Sequence, residues 1–401
     1  MLKMQKELNC FEELLGFYSG RLISYPLIPP EHVYFSLTSR CSLRCEMCDV
    51  AKSSSRPEDE LSTSKVKEII AQIKGLDIKH IIFSGGEPFL REDLLEILEF
   101  ALSAPIENVA LVTNGILLNE QVIEKLIKME LTHITVSLDG MEKTNDAIRG
   151  SGTFKKIVDN IDKLIFYKKK LSSSLPTIGI NFTIMNKNIT DILDMVKFAK
   201  RKKYNAIIFQ PVLFSNISMH EKKTNVLWPS EENLPKLEKA ISKLIKLKTS
   251  LTGLDINTDI SVLKAIPDYF RGETLRGDFK CYEAIKRLVI TCAGKVWSCM
   301  GIYGDLKENN LEKIWFSKEA ADTRGKIKCC HAHCLQDCVY LPADIMGETN
   351  VLLAKLSCAG TGKTEIKSRL LKKLEHYSER ASHEKESGIL NLVKNELLKE
   401  F

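Results

Sequence analysis

"VYFSLTSRCSLRCEMCD", residues 33–49, decides how the rest of the chain is read. Its first half is short, β-branched and aromatic, the composition of a buried strand. Its second half places Cys41, Cys45 and Cys48 in one loop, with three and then two residues between them. Tetrahedral zinc sites close with four ligands, commonly in paired clips. Three thiols therefore leave three readings: a broken zinc site, ordinary thiols, or a metal site that keeps one place open.

The remaining cysteines narrow the choice. Of 12 in 401 residues, three lie in this loop, eight fall between 281 and 358, and Cys10 stands alone. None lies between 48 and 281. A disulfide scaffold would spread its staples more evenly, and in a reducing compartment clustered thiols point to metal or catalysis. Cys10 reads as helix packing or buried core.

Outward from the opening strand the chain keeps an α/β rhythm. Strands are expected at 33–39, 79–86, 108–115, 133–140, 177–185 and 205–212, each followed by a segment at helical spacing. Ser62 opens the first of these as a plausible N-cap. Six strand–helix units in strict alternation imply a parallel sheet with helices outside. In such folds the working residues gather at the C-terminal ends of the strands. There the chain places the cysteine loop, "SGGEP" (84–88), "TNG" (113–115), "SLDG" (137–140) and "QPV" (210–212).

Residues 1–30 read as an N-terminal helical extension, 31–215 as the α/β core and 216–275 as a helical bridge. Residues 276–360 read as a smaller cysteine-rich domain and 361–401 as a charged helical tail. Within the fourth segment "VITCAGKVWSC" carries a hairpin signal, with Gly294 as the turn residue. Hydrophobic content of 44% and charged content of 27% suit a globular protein. No run reaches the ~18 apolar residues of a membrane span, and the acidic N-terminus is no secretory signal. The chain reads as cytoplasmic, without a membrane partner. The net charge of +6 is spread lysine without interleaved aromatics, so a solvated surface is favoured over a nucleic-acid footprint.

Three thiolates on one loop suit three irons of a [4Fe–4S] cube and leave the fourth free. The cysteine motif after the first strand, with "GGEP" after the second, resembles the radical S-adenosylmethionine (SAM) enzymes over residues 30–215. The resemblance implies a partial (β/α)6 TIM barrel, an α/β fold, with Cys41, Cys45 and Cys48 ligating the cluster. It further implies that the open iron chelates SAM, that one electron cleaves it to methionine and a 5′-deoxyadenosyl radical, and that the radical abstracts a substrate hydrogen. A donor such as flavodoxin or ferredoxin would supply the electron.

The resemblance also assigns cofactor-binding roles. Met47 stands where relatives often carry an aromatic residue near adenine, and methionine is a soft, adaptable substitute. Gly85 and Gly86 would let backbone approach the ligand closely, with Glu87 and Pro88 fixing the turn at the SAM amino group. Asn114 would line the barrel mouth and order its loop. Ser137 and Asp139 resemble positions near the ribose and carboxylate of SAM. Arg149 matches an arginine often placed at that carboxylate, which a guanidinium can grip through two parallel bonds. Gln210 is a weaker candidate for adenine or substrate.

In the cysteine-rich segment, Cys281 and Cys299 frame a C-x12-G-x4-C pattern that resembles the opening of SPASM and twitch domains. Cys334 and Cys338 fit the later C-x3-C pair, whereas the adjacent Cys329 and Cys330 depart from the usual spacing. This implies a C-terminal α+β SPASM/twitch-like domain with one or two auxiliary [4Fe–4S] clusters, drawn from Cys281, Cys299, Cys330, Cys334, Cys338 and Cys358. Cys292, in the hairpin turn, is ligand or bystander. A zinc site using His331 and His333 is the competing reading. The expected activity is that of an oxidoreductase on a peptide or protein side chain, or on a small carbohydrate-like molecule. Cofactor biosynthesis, such as tetrapyrrole side-chain processing, is the second reading, and a non-catalytic iron–sulfur or zinc scaffold the third. The short stretch before the first strand argues against a leader-peptide-binding domain there.

Overall fold

The structure, a computed structural model, describes residues 13–14, 16–50, 56–214, 218–273, 279–336 and 340–342, with the single positions 368 and 372. Cys10, Cys338, Cys358 and nearly all of the expected tail lie outside the described residues.

All six expected strands form: β1 His32–Thr38, β2 His80–Gly85, β3 Asn108–Thr113, β4 His133–Ser137, β5 Thr177–Ile184 and β6 Ala206–Pro211. Each pairs in parallel with its sequence neighbour. The crossovers carry the helices α1 Thr63–Gly75, α2 Leu94–Ser103, α3 Glu120–Lys128, α4 Glu142–Arg149, α5 Thr153–Lys170 and α6 Ile192–Arg201. The expected cap at Ser62 is present: its side chain accepts from Lys65 N. Such a cap contributes ~1 kcal/mol to helix stability.

Alternation along the strands divides the sheet by chemistry. One face carries Phe35, Phe83, Leu111, Val136, Ile180 and Phe209, all fully buried with the apolar stripes of the helices. The other face is mixed and includes polar groups, with Tyr34 donating to Ser84 at 2.7 Å and Ser137 lying beside Asn181 in the register. A helix-covered outer face is what a barrel of parallel strands requires.

The sheet is wider than the six units. At one edge the two-residue strand β7 Asp255–Ile256 pairs with β6. At the other, β9 Arg287–Ile290 pairs in parallel with β1 and continues into β10 Lys295–Ser298 and β11 Gly301–Asp305. The expected hairpin therefore forms, with Gly294 at φ +82° in its turn, and it joins the core's own sheet. A second small sheet pairs β8 Phe279–Cys281 with β12 Tyr340–Pro342. Between β6 and β8 the chain is helical at Met219–Thr224, Leu234–Ser250 and Ile260–Arg271.

Candidate active site

The cysteine loop leaves β1 and is pinned to the end of β2 within three residues. Gly86 N donates to Thr38 O and Glu87 N to Arg40 O, both at 2.7 Å. A Cβ on Gly85 would lie 2.3 Å from Thr38 O, and one on Gly86 2.2 Å from Arg40 O. The glycines expected to admit a ligand are thus needed first to admit the chain itself: the backbone entering the cysteine loop lies directly on them.

Glu87 does the next piece of fastening. Its carboxylate is fully buried and accepts from Thr113 Oγ1 at 2.8 Å, Asn114 N at 2.8 Å and Phe89 N at 3.2 Å. Burial pushes its acid above the ordinary glutamate value, with these bonds acting the other way. Pro88 begins the short helical turn Pro88–Leu90, where its missing N–H costs nothing. The "SGGEP" and "TNG" segments are therefore one bonded unit, and Glu87 spends its oxygens inside the protein.

Two of the loop thiols face side-chain donors. Asn114 Nδ2 lies 3.8 Å from Cys41 Sγ, while Asn114 Oδ1 accepts from Ile116 N at 2.9 Å. Arg149 Nη1 lies 3.8 Å from Cys45 Sγ. The same guanidinium places Nε at 2.7 Å and Nη2 at 2.6 Å from Asp139 Oδ2. Burial raises the Cys45 thiol, opposed by the Arg149 charge and reinforced by Asp139, Cys48 and Cys41. Cys48 N donates to Cys45 O, and Glu46 N to Ile148 O at the end of α4, so the loop is held from two sides. Met47 packs half-buried against the core, and Ser137 is half-buried at the end of β4. Gln210 sits opposite Thr183 in the register of β5 and β6.

Four further side chains brace this region, and of these only Cys292 drew notice from the sequence. Glu60 accepts from Thr38 Oγ1 and ion-pairs with Arg40 at 2.9 Å, bracing the loop entry. Arg91 Nη1 donates to Leu37 O at 3.0 Å. Asn188 Nδ2 donates to Asp139 O at 2.9 Å. Cys292, in the β9–β10 turn, sits 3.2 Å from Ser39 Oγ, and its carbonyl accepts Leu61 N.

A second set of cysteines lies in β8, just after β10 and in the segment after Lys318–Lys328. Burial pushes the Cys281 thiol up strongly, helped by the charges of Glu283, Cys334 and Cys299. Cys299 is pushed up to about 11 by burial, Glu283, Cys330 and Cys334. Cys281, Cys299, Cys330 and Cys334 thus lie within electrostatic range of one another. Cys329 is exposed. His333 stacks on Tyr269 with ring centroids 4.8 Å apart, and its Nε2 lies 2.6 Å from Tyr269 O. Among the described residues, no three histidines, cysteines or carboxylates are grouped for a single metal ion.

The donor set suits an iron–sulfur cube at the first loop: three sulfurs on one backbone segment, two of them facing N–H groups of the kind that stabilise thiolates. The superfamily model "Radical SAM superfamily" matches residues 35–199, the span from β1 to α6.

Residues 35–199 form a radical SAM domain.

Among its relatives, the Fe-coproporphyrin III synthase of Methanosarcina barkeri is 31% identical over 46% of this chain and 44% of its own length. The chain thus spans under half of that relative. The AdoMet-dependent heme synthase of the same organism is 25% identical over 82% of this chain and 90% of its own length. The PqqA peptide cyclase of Rhizobium meliloti is 26% identical over 73% and 76%. Among solved structures, Streptococcus suis SuiB bound to S-adenosylmethionine shares the fold with a TM-score of 0.59 at 17% identity, covering 77% of this chain and 70% of that one. The partial barrel expected for this radical SAM chain is the architecture observed. No helix of the described residues is long and apolar enough to cross a membrane.

Proposed function

We propose that this protein is a radical SAM oxidoreductase whose site lies at the C-terminal mouth of the barrel. Cys41, Cys45 and Cys48 would hold the cluster. The bound cluster supplies one electron for cleavage of SAM to methionine and a 5′-deoxyadenosyl radical, which abstracts a substrate hydrogen. The single observation that carries this reading is the three-cysteine loop bonded onto Gly86 and Glu87, with Asn114 and Arg149 against its thiols.

The protein's own part is to position and to exclude. The Glu87 bonds hold the β2 and β3 ends in one frame. With its carboxylate so engaged, the amino group of SAM falls to the backbone of residues 85–88, and Ser137 and the half-buried Met47 would face ribose and adenine. Cys281, Cys299, Cys330 and Cys334 would hold an auxiliary cluster, with Cys338 and Cys358 as further candidate ligands in the same segment. An auxiliary cluster would accept the electron left on the substrate after hydrogen abstraction, and the substrate then loses a proton.

The leading substrate class is a peptide or protein side chain, or a small carbohydrate-like molecule, supported by the likeness to the PqqA peptide cyclase over most of both chains. The second reading is tetrapyrrole or other cofactor biosynthesis, favoured by the likeness to the heme synthase over 90% of that protein. Incubating the reduced, reconstituted protein with SAM and either a candidate peptide or an iron porphyrinogen-derived precursor separates them. The correct class yields 5′-deoxyadenosine together with a product lighter by the hydrogens or carboxyl group removed. If neither class is altered while SAM is still cleaved, both substrate readings fail and the chemistry stands.

A further inference from the structure

Residues 16–23 are helical, precede the barrel and pack on the cysteine-rich segment. Phe17 and Ile28 are buried with Tyr282 and Ile285 in a small core of their own. Tyr25 lies against Phe316 with ring centroids 5.8 Å apart, and Glu31 N donates to Lys286 O at 2.7 Å. These partners all lie between Cys281 and Cys329 in the sequence. Arg21 makes the contact that joins two cysteine-bearing stretches. Its Nε donates to Cys281 O at 3.0 Å and its Nη2 to Lys328 O at 3.1 Å. Its guanidinium carbon sits 5.7 Å from the centre of the Tyr282 ring. Lys328 ends the helix Lys318–Lys328, so its carbonyl is one of the four that a helix leaves without an internal partner. Lys328 Nζ returns the contact by donating to Leu22 O, near the end of the N-terminal helix. Each helix thus receives, at its negative end, a cation from the other. Cys329 and Cys330 follow Lys328 directly.

We propose that Arg21 is a positioning residue for the auxiliary cluster: it clamps the strand that ends in Cys281 to the helix end that leads into Cys330. This rests on reading Cys281, Cys299, Cys330 and Cys334 as ligands of one auxiliary cluster. The physical reason is preorganisation. A cube needs its thiolates held together, and where the site is not preformed, part of the binding free energy goes into ordering the chain that carries them. Cys281 and Cys330 are far apart in the sequence, so something outside the cluster must set their segments side by side. A guanidinium carries several N–H donors in a rigid fork, so one side chain can fix two carbonyls at a set spacing. A lysine ammonium, a point charge on a flexible stem, can hold either carbonyl but does not set the distance between them. The N-terminal helix supplies the platform from which Arg21 reaches both, and the reciprocal bond from Lys328 keeps that platform seated.

The test uses the full chain with Cys41, Cys45 and Cys48 changed to alanine, so that any iron retained is auxiliary. Arg21→Met and Arg21→Lys are added to this parent, and iron and sulfide are counted after anaerobic reconstitution. In Arg21→Met the retained iron should fall about twofold or more, because losing a group that orients metal ligands costs roughly 10–100-fold in metal affinity. Arg21→Lys should lie between Arg21→Met and the parent. In the chain with its cysteine loop intact, Arg21→Met should leave the electron paramagnetic resonance signal that changes on adding SAM at its wild-type intensity. Auxiliary iron equal to the parent's overturns the proposal. Loss of the SAM-responsive signal in step with the auxiliary iron also overturns it, since Arg21 would then support the whole fold. If Arg21→Met yields no folded protein, Arg21→Lys decides alone: less auxiliary iron than the parent with the SAM-responsive signal kept supports the assignment, and unchanged iron sinks it. A parent that holds no iron would refute the auxiliary reading itself, and this proposal with it, before any Arg21 variant is compared.

Discussion

Glu87 Oε2 accepts the backbone N–H of Asn114 at 2.8 Å, and that bond ties the end of β2 to the end of β3. Because Asn114 also reaches Cys41, the carboxylate and the first thiol of the cysteine loop are two contacts apart. A residue whose sequence context suggests ligand binding thus acts on the cysteine loop through the protein.

Glu87→Ala should destabilise the fold. It leaves the buried Thr113 hydroxyl and the N–H groups of Asn114 and Phe89 without their acceptor, at ~1–3 kcal/mol for each group left unmet. Chemical denaturation of the metal-free protein reads this, and a variant as stable as wild type would show that the network contributes nothing.

The same carboxylate carries a pH signature. Its folded pKa is raised above the ordinary 4.5, chiefly by burial. The unfolded chain therefore gives up this proton at lower pH than the native one. The associated stability is present below the unfolded value and is lost as pH rises through the folded one. The stability difference between wild type and Glu87→Gln should accordingly shift against wild type as pH climbs from about 4.5. A difference independent of pH across that window would contradict the assigned shift.

Gly86→Ala should prevent cluster assembly more than it harms folding elsewhere. The added methyl would meet Arg40 O at 2.2 Å, a backbone atom that cannot yield without moving the loop entry. Iron content at the loop after reconstitution should fall sharply while far-ultraviolet circular dichroism is retained. Normal loading would mean that residues 38–40 shift freely.

What was legible in the sequence was what local chemistry determines. The six core strands are apolar enough to be read from composition, and Ser62 and Gly294 announce their cap and turn. What was not legible depends on contacts between distant residues. β9 pairs with β1 across more than the whole barrel sequence, and Cys292 meets Ser39 from 253 positions away. β7 has two residues, too few for any periodicity. Glu60 sits in the acidic run "PEDE" and looks like a solvated charge, yet its side chain is 5% exposed against Arg40. The "SGGEP" glycines were found for their freedom, and within the protein their nearest neighbours are the backbone atoms of residues 38–40.

The second cysteine group gives its own prediction. A variant with Cys41, Cys45 and Cys48 all changed to alanine should retain about four irons if Cys281, Cys299, Cys330 and Cys334 hold one cube, and about eight if a second is present. Adding Cys281→Ala should remove the first of these. Zinc in place of iron would overturn the auxiliary assignment, although the engagement of His333 Nε2 with Tyr269 O leaves that histidine poorly placed to serve as a ligand.

The most direct test of the central claim is anaerobic turnover of the reconstituted protein with dithionite and SAM, quantifying 5′-deoxyadenosine. The account predicts its formation by wild type and its loss in Cys45→Ala. No 5′-deoxyadenosine from wild type carrying a verified [4Fe–4S] cluster at the loop, or equal amounts from Cys45→Ala, would contradict it.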